Sequence, residues 1–327
     1  MDPSDFFTAS RVLIVAGKGG VGKTTVSAAL GVAASRAGID TLLVEIEGKR
    51  GLATVFESSG AAADTDPAEL HYDDTVLIPA DSGSGGAALR ARTIRADAAL
   101  MDYLEEHGLK GFAKTLTRLQ VLDTLATSTP GLKDLIVLGK IKQLEATRDA
   151  DLIIVDAPAS GHAIAFLRAA AGLRQTIDTG PIRRQADEVV SMLTDPQRAQ
   201  VLLVTLAEET PVNELVETAY ALEEEVGIHL GPTIVNGLFP ERAVSTSVSR
   251  TTKVTPELAA AAAAAASHWQ ARSGGQQDQR SRLAEELPLE QLALPRRFTT
   301  RIGPDDLDAL ADDLADQLRD LRFRATT

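Results

Sequence analysis

The sequence predicts an α/β fold: a mostly parallel, doubly wound sheet with a helical insertion. Three observations predict it. Val12-Leu13-Ile14-Val15 is an apolar run followed by a glycine-rich turn and an Ala/Leu-rich helical stretch, Val26 to Ala37. Further apolar runs at 41–46, 151–156, 201–205, 231–236 and 292–295 alternate with helical stretches, the pattern of strands joined by crossover helices. Between 87 and 147 the spacing is helical, and roughly sixty such residues are too many for one crossover helix.

Composition bounds what the chain can be. Its 327 residues allow one large α/β domain or a core with an insertion. Hydrophobic residues make up 44% but aromatics only 4%, so the core is built from Ala, Leu, Val and Ile. A net charge of −13 disfavours a general nucleic-acid binder, which needs clustered Lys/Arg. The absence of cysteine excludes disulfides, thiolate metal sites and cysteine nucleophiles. Met1 to Ser10 carries acids and no long apolar region, and no apolar run is long enough to span a bilayer. A cytoplasmic protein without an integral membrane segment is therefore expected.

The first strand runs into Gly17-Lys18-Gly19-Gly20-Val21-Gly22-Lys23-Thr24-Thr25. Gly17, Gly22, Lys23 and Thr24 meet the spacing G-x-x-x-x-G-K-[ST] of a phosphate-binding loop, in the strand-turn-helix context that loop requires. Glycines let backbone N–H groups turn toward an anion, and the helix N-terminus adds partial positive charge. Lys23 is placed to reach the β- and γ-phosphates of ATP, and the Thr24 hydroxyl to ligate Mg²⁺. Gly17, Gly19, Gly20, Val21, Gly22, Lys23, Thr24 and Thr25 thus form the expected nucleotide cradle, and the sheet is of the P-loop NTPase kind.

Lys18 is a second lysine inside the loop, which a plain phosphate loop does not need. With it the loop resembles the deviant Walker A motif of a superclass of dimeric ATPases. That superclass includes arsenite-pump ATPases, tail-anchored-protein-targeting ATPases, septum-site and partition ATPases, and nitrogenase iron protein. The resemblance implies that Lys18 reaches across a dimer interface to the partner's nucleotide. A solvated loop lysine is the plainer alternative.

Gly38 closes the first helix, and Thr41 to Ile46 forms the second strand. Glu47 follows at its carboxyl end, where ligands sit in open α/β sheets. By the resemblance Glu47 takes the place of an aspartate that orients the attacking water. Here Glu stands for Asp, and Gly48-Lys49-Arg50 for Pro-Ala-His; a solvated loop acid is the alternative. Glu57 to Leu70 reads as a connection, Asp74 to Pro79 as a short strand, and Asp81 to Gly86 as a break. The core's first part is set at residues 11–86.

The insertion is set at 87–148. Leu100, Tyr103, Leu104 and His107 share one helical face; Phe112, Leu116 and Leu119 share another. Leu132 to Leu144 resumes the pattern after Thr129-Pro130-Gly131. By the resemblance such an insertion forms a hydrophobic client groove; ordinary packing of amphipathic helices is the alternative.

The core resumes over 149–327, with a further helical piece at about 176–198. Asp151 to Asp156 is an apolar strand ending in an acid, the arrangement in which a carboxylate reaches Mg²⁺. Asp156 is therefore the second expected metal residue beside Thr24, and with Lys18, Lys23 and Glu47 belongs to the expected catalytic set. Asp156-Ala157-Pro158-Ala159-Ser160-Gly161-His162 is similar to the switch segment of the arsenite-pump and tail-anchored-protein-targeting branch. The chain is thereby identified as resembling that anion-transporting ATPase-like family, as a cysteine-free bacterial-type member.

The later elements follow. Thr210, with Pro211 next, is an expected helix N-cap after the strand at 201–205. Asn236 ends the strand at 231–236; its amide suits an adenine edge, and a turn asparagine is the alternative. Thr252 to Glu286 reads as an Ala-rich helix followed by a polar stretch, Arg272 to Arg282. Pro295 ends the last strand, and by the resemblance leads a loop around the adenine. Asp305 to Leu321 is an amphipathic helix with a leucine stripe suited to docking on the sheet.

The resemblance implies an Mg²⁺-dependent, dimeric ATPase, as homodimer or with a paralogous subunit. Its client would be a hydrophobic or membrane protein. Without cysteine the thiolate arsenite site and the Cys-x-x-Cys dimer zinc are both missing. A slow nucleotide switch acting on a partner, and a septum-site or partition ATPase, are the other readings.

Overall fold

The computed structural model describes residues 2–46, 51–57, 70, 72–81, 83, 85–106, 131–158, 160–240 and 255–321. At its centre is β1 (Val12–Gly17), all of whose residues are buried. The other strands are β2 (Thr41–Ile46), β3 (Thr75–Ile78), β4 (Leu89–Ile94), β5 (Leu152–Asp156), β6 (Ala199–Leu206), β7 (Thr233–Leu238) and β8 (Gln291–Pro295). They form one sheet in the order β3-β4-β2-β5-β1-β6-β7-β8. Every pairing is parallel except β3 with β4.

Alternation along the strands divides the core in two. Val12, Ile14 and Ala16 join one apolar cluster; Leu13 and Val15 join the other. The first lies under α4 (Ala96–Glu106), α5 (Leu132–Thr147), α6 (Ser160–Thr176), α7 (Pro181–Leu193) and α8 (Glu209–Val226). The second lies under α1 (Pro3–Thr8), α2 (Lys23–Arg36), α3 (Gly51–Glu57) and α10 (Pro304–Asp320). Helices on both faces make the sheet doubly wound, as expected. The leucine stripe of α10, Leu307, Leu310, Leu314 and Leu318, is buried against the second face.

Three expectations are corrected. The helical stretch from 87 opens with a strand, β4, parallel to β2. Its Leu89 and Ala91 are buried, while Arg90 and Arg92 alternate with them and hold Asp74, with Arg90 also on Asp40 at 2.9 Å. Helix begins only at Ala96; Ala96 and Ala99 join the first cluster, and Leu104 is buried with Leu100 beside it. Thr210 is not an N-cap: α8 starts at Glu209 behind Glu208, and Pro211 fits the first turn, where its missing N–H is not needed. The polar stretch at 272–282 is helical, inside one 31-residue helix, α9 (Pro256–Glu286), capped by Thr255. The opening residues form α1, whose Phe6 and Phe7 are buried edge to face. His107, Phe112, Leu116 and Leu119 lie outside the described residues.

Candidate nucleotide and metal site

The loop between β1 and α2 stands at the carboxyl end of the central strand. β6 leaves β1 on one side, β5 and β2 on the other, so the loop lies at the point where chain order reverses, where such sheets bind ligands. Gly17 is the last residue of β1, opposite Val204 of β6. Gly19 and Gly20 are exposed, Val21 is buried, and Thr24 and Thr25 are half-buried in the first turn of α2. Gly22 sits before α2 with φ +92°, and a Cβ there would lie 2.3 Å from Asn236 Nδ2. Only glycine satisfies both constraints.

Lys23 is 7% exposed and its Nζ donates to the Lys18 carbonyl at 3.0 Å. The ammonium is thus folded over its own loop, on the side where anionic oxygens would stand. Thr24 Oγ1 donates to Asp156 Oδ2 at 2.7 Å. Asp156 is fully buried at the end of β5, and Ala157 N donates to Val15 O at 3.1 Å, tying that strand end to β1. The expected metal pair is therefore assembled from positions 132 residues apart.

A hydroxyl and a carboxylate suit Mg²⁺, which prefers hard oxygen donors. It characteristically takes one or two carboxylates together with substrate phosphates and waters. Among the described residues no larger acidic or histidine cluster forms a protein cage. A site completed by phosphate oxygens fits that donor set.

Lys18 forms an ion pair with Glu214 of α8. Both side chains are about one-third exposed, 34% and 37%, so the pair sits at the surface. Asn236 lies beside the loop, and its Nδ2 donates to Val21 O at 2.8 Å. Two residues on, Leu238 pairs in register with Pro295 of β8. Both line an open cavity of about 190 Å³ with Phe239, Gln276 and Arg280. Gln276 is buried on α9; it accepts from Phe239 N at 2.8 Å and donates to Gly237 O at 3.2 Å. Glu47 and residues 48–50 lie outside the described residues. Gly161 and His162 fall in the first turn of α6.

Sequence reasoning missed three features. Glu214 carried no local signal, because its partner is 196 residues away. Gln276 looked like one more residue of the polar stretch 272–282. Glu45 did carry a signal, an acid inside an otherwise apolar strand end: it is 1% exposed, and its Oε1 accepts from Gly51 N at 2.9 Å and Leu52 N at 3.2 Å.

The chain is similar to known proteins. The family model described as anion-transporting ATPase matches residues 10–190. ATPase BagA of Mycobacterium tuberculosis is 34% identical over 239 residues, 70% of this chain and 66% of that protein. ATPase GET3B of Arabidopsis thaliana is 23% identical over 269 residues, 71% of this chain and 65% of that protein. ATPase ARSA1 of Chlamydomonas reinhardtii is 25% identical over 268 residues, covering 69% of this chain and 34% of that protein. The chain thus spans just under two thirds of the mycobacterial relative's length. The matched model runs from the strand before the glycine loop, through Thr24 and Asp156, into α7, and by that match the chain belongs to the anion-transporting ATPase family.

Proposed function

We propose that this chain binds Mg²⁺·ATP and hydrolyses it as a dimer, coupling nucleotide state to the handling or regulation of a protein client. The observation that carries the reading is the Thr24–Asp156 contact at 2.7 Å beneath a complete glycine loop. The loop N–H groups and Lys23 bind the phosphates, with Lys23 exchanging the Lys18 carbonyl for phosphate oxygens. Thr24 and Asp156 hold Mg²⁺, which when bound neutralises charge on the phosphates. Asn236, beside the loop, and Pro295, in the cavity with Phe239 and Gln276, border the base. Glu47 orients the attacking water. Lys18 leaves Glu214 to meet the phosphates of the partner's nucleotide, so that ATP draws two subunits together. The protein is cytoplasmic, and the client-facing insertion, set by the sequence at 87–148, begins only after the core strand β4. Among the described residues no helix is long and apolar enough to cross a membrane.

Three measurements test this. Lys23→Ala abolishes nucleotide binding in calorimetry, and unchanged binding refutes the site. With a non-hydrolysable ATP analogue, light scattering shows dimers for the wild type and monomers for Lys18→Ala; dimers in both remove the bridging role. A pull-down with the same analogue recovers a client that the apo protein does not, and recovery independent of nucleotide sinks the coupling.

A nucleotide switch with little turnover is the second reading. Glu47-Gly48 in place of the Asp-Pro that the resemblance expects favours it. Analogue-driven dimers with no more phosphate release than Lys23→Ala gives would select it.

A further inference from the structure

Glu45 has a role that the nucleotide reading does not use. It is the one charged residue of β2, and it is 1% exposed. Leu43 faces the α2 side of the sheet, and Val44 and Ile46 face the other; period-two alternation puts Glu45 on the α2 side. Asp156 is its register neighbour on β5, so two carboxylates stand side by side at adjacent strand ends. A carboxylate so buried needs hydrogen bonds to offset its lost hydration. Glu45 takes them from Gly51 N and Leu52 N.

That tie presses the chain against the metal pair. A Cβ on Gly51 would lie 2.8 Å from Thr24 Cγ2, 3.2 Å from Thr24 Oγ1 and 3.4 Å from Glu45 Oε1. The Gly51 backbone therefore fills the space between the Glu45 carboxylate and the Thr24 side chain. Thr24 has two heavy atoms on Cβ and few staggered positions, so a wall on one side restricts where its hydroxyl points. That hydroxyl meets Asp156.

We propose that Glu45 is a positioning residue for the magnesium site: it anchors Gly51 and Leu52 against Thr24, holds the Thr24 hydroxyl toward Asp156, and places a second negative charge behind the bound cation. Its role is positioning, not catalysis: the hydrogen bonds it accepts from Gly51 N and Leu52 N hold backbone in place. The inference rests on the Mg²⁺·nucleotide reading above and adds a member to that site.

The test is the metal dependence of ADP binding, measured by calorimetry on the full chain in EDTA, Mg²⁺ or Mn²⁺. The spin-resonance signal of Mn²⁺ gives an independent view of the bound metal. Glu45→Gln removes the charge and keeps the shape. Gly51→Ala keeps the charge and pushes Thr24. Each is expected to leave ADP affinity in EDTA within about 2-fold of wild type and to cut the gain produced by the metal about 10-fold, the scale at which outer-sphere partners act. The double variant is expected to lose no more than the larger single one, because both act through one contact. Where Glu45→Gln does not fold, Gly51→Ala decides alone. A wild type that gains nothing from the metal sinks the magnesium reading and this inference with it. A wild type that gains, with variants that gain equally or lose affinity equally in EDTA and in metal, leaves the magnesium reading standing and overturns the role of Glu45.

Discussion

The two ends of the binding face are built from different materials. Around β1, β5 and β2 the strand ends carry buried acids and glycine, held by short hydrogen bonds: Thr24 to Asp156, Lys23 to Lys18 O, Gly51 N to Glu45. Around β7 and β8 they carry rings. Trp269 stacks on Phe298 at 5.4 Å and 27°, Phe239 meets both edge to face, and Arg296 lies over Phe239. Phe298 is 60% exposed. In a chain with only 4% aromatics, this concentration is not explained by the core. Charged groups suit phosphate and metal, which demand fixed dipoles. Ring faces suit a flat apolar base and tolerate variation. On the proposed function, the acidic end serves the phosphates and metal, and the aromatic end serves the base.

The largest separation between the ends comes from Asp156→Asn. The amide still accepts from Thr24, but the charge facing the cation is gone. A loss of about 3 kcal/mol, or about 100-fold in affinity measured with Mg²⁺, is expected. Binding in EDTA changes little. Fluorescence of the single tryptophan, which sits at the other end, is unchanged in the apo protein. A shifted apo spectrum would break the independence of the two ends.

Gly22→Ala tests a direct link between them. The new Cβ meets Asn236 Nδ2 and adopts φ +92°, costing about 1–3 kcal/mol. Thermal unfolding and ADP affinity are both expected to fall. Asn236→Ala removes the clash and one hydrogen bond, itself worth about 1 kcal/mol. The double variant therefore recovers part of the loss. Strict additivity would show that Asn236 does not support the loop.

Trp269→Ala should act on the aromatic end alone. It removes two ring contacts, at about 0.5–1.5 kcal/mol each, and the indole N–H to Pro240 O at 3.2 Å. Stability falls by about 1–3 kcal/mol. The preference for ATP over GTP falls a few-fold while tripolyphosphate binding holds. Loss of tripolyphosphate binding would contradict the division of labour.

The same contrast explains what the sequence could reveal. Each position of the glycine loop is dictated by local backbone chemistry, so spacing alone located Lys23 and Thr24. Asp156 was legible because an acid ending a fully apolar strand has few other uses. Elements set by distant partners were not legible. Ala and Arg favour helix, yet Arg90 and Arg92 are held in β4 by Asp74 and Asp40 from other segments. Residues 272–282 read as a polar stretch after the helix, yet Gln276 within them anchors one continuous helix to β7. Spacing placed Asn236 at a strand end but left the direction of its amide open; Nδ2 turns to the loop.

The smallest expected effect lies on the far edge of the acidic end, where Asp102 of α4 accepts from Tyr72 Oη at 2.6 Å and pairs with Lys140 of α5. Burial pushes the Asp102 carboxyl up, but the hydrogen bonds from Lys140 and Tyr72 and the Lys140 charge together hold it below its ordinary value. Its folded value is therefore lower than its unfolded one. The contribution to stability is fully present above the ordinary carboxylate range and is lost as pH falls through the folded value. The carboxylate is 37% exposed, so solvent screening limits its worth to about 1 kcal/mol or less. Denaturant unfolding at neutral pH and in acid below the ordinary carboxylate range is expected to show Asp102→Asn less stable by about that amount at neutral pH, with the gap closing in the acid. Because α4 and α5 pack on the face of the sheet opposite α2, Mg²⁺-dependent ADP binding should not change with this variant. A change would mean that the helical side feeds into the metal site, joining regions whose packing is otherwise divided by the sheet.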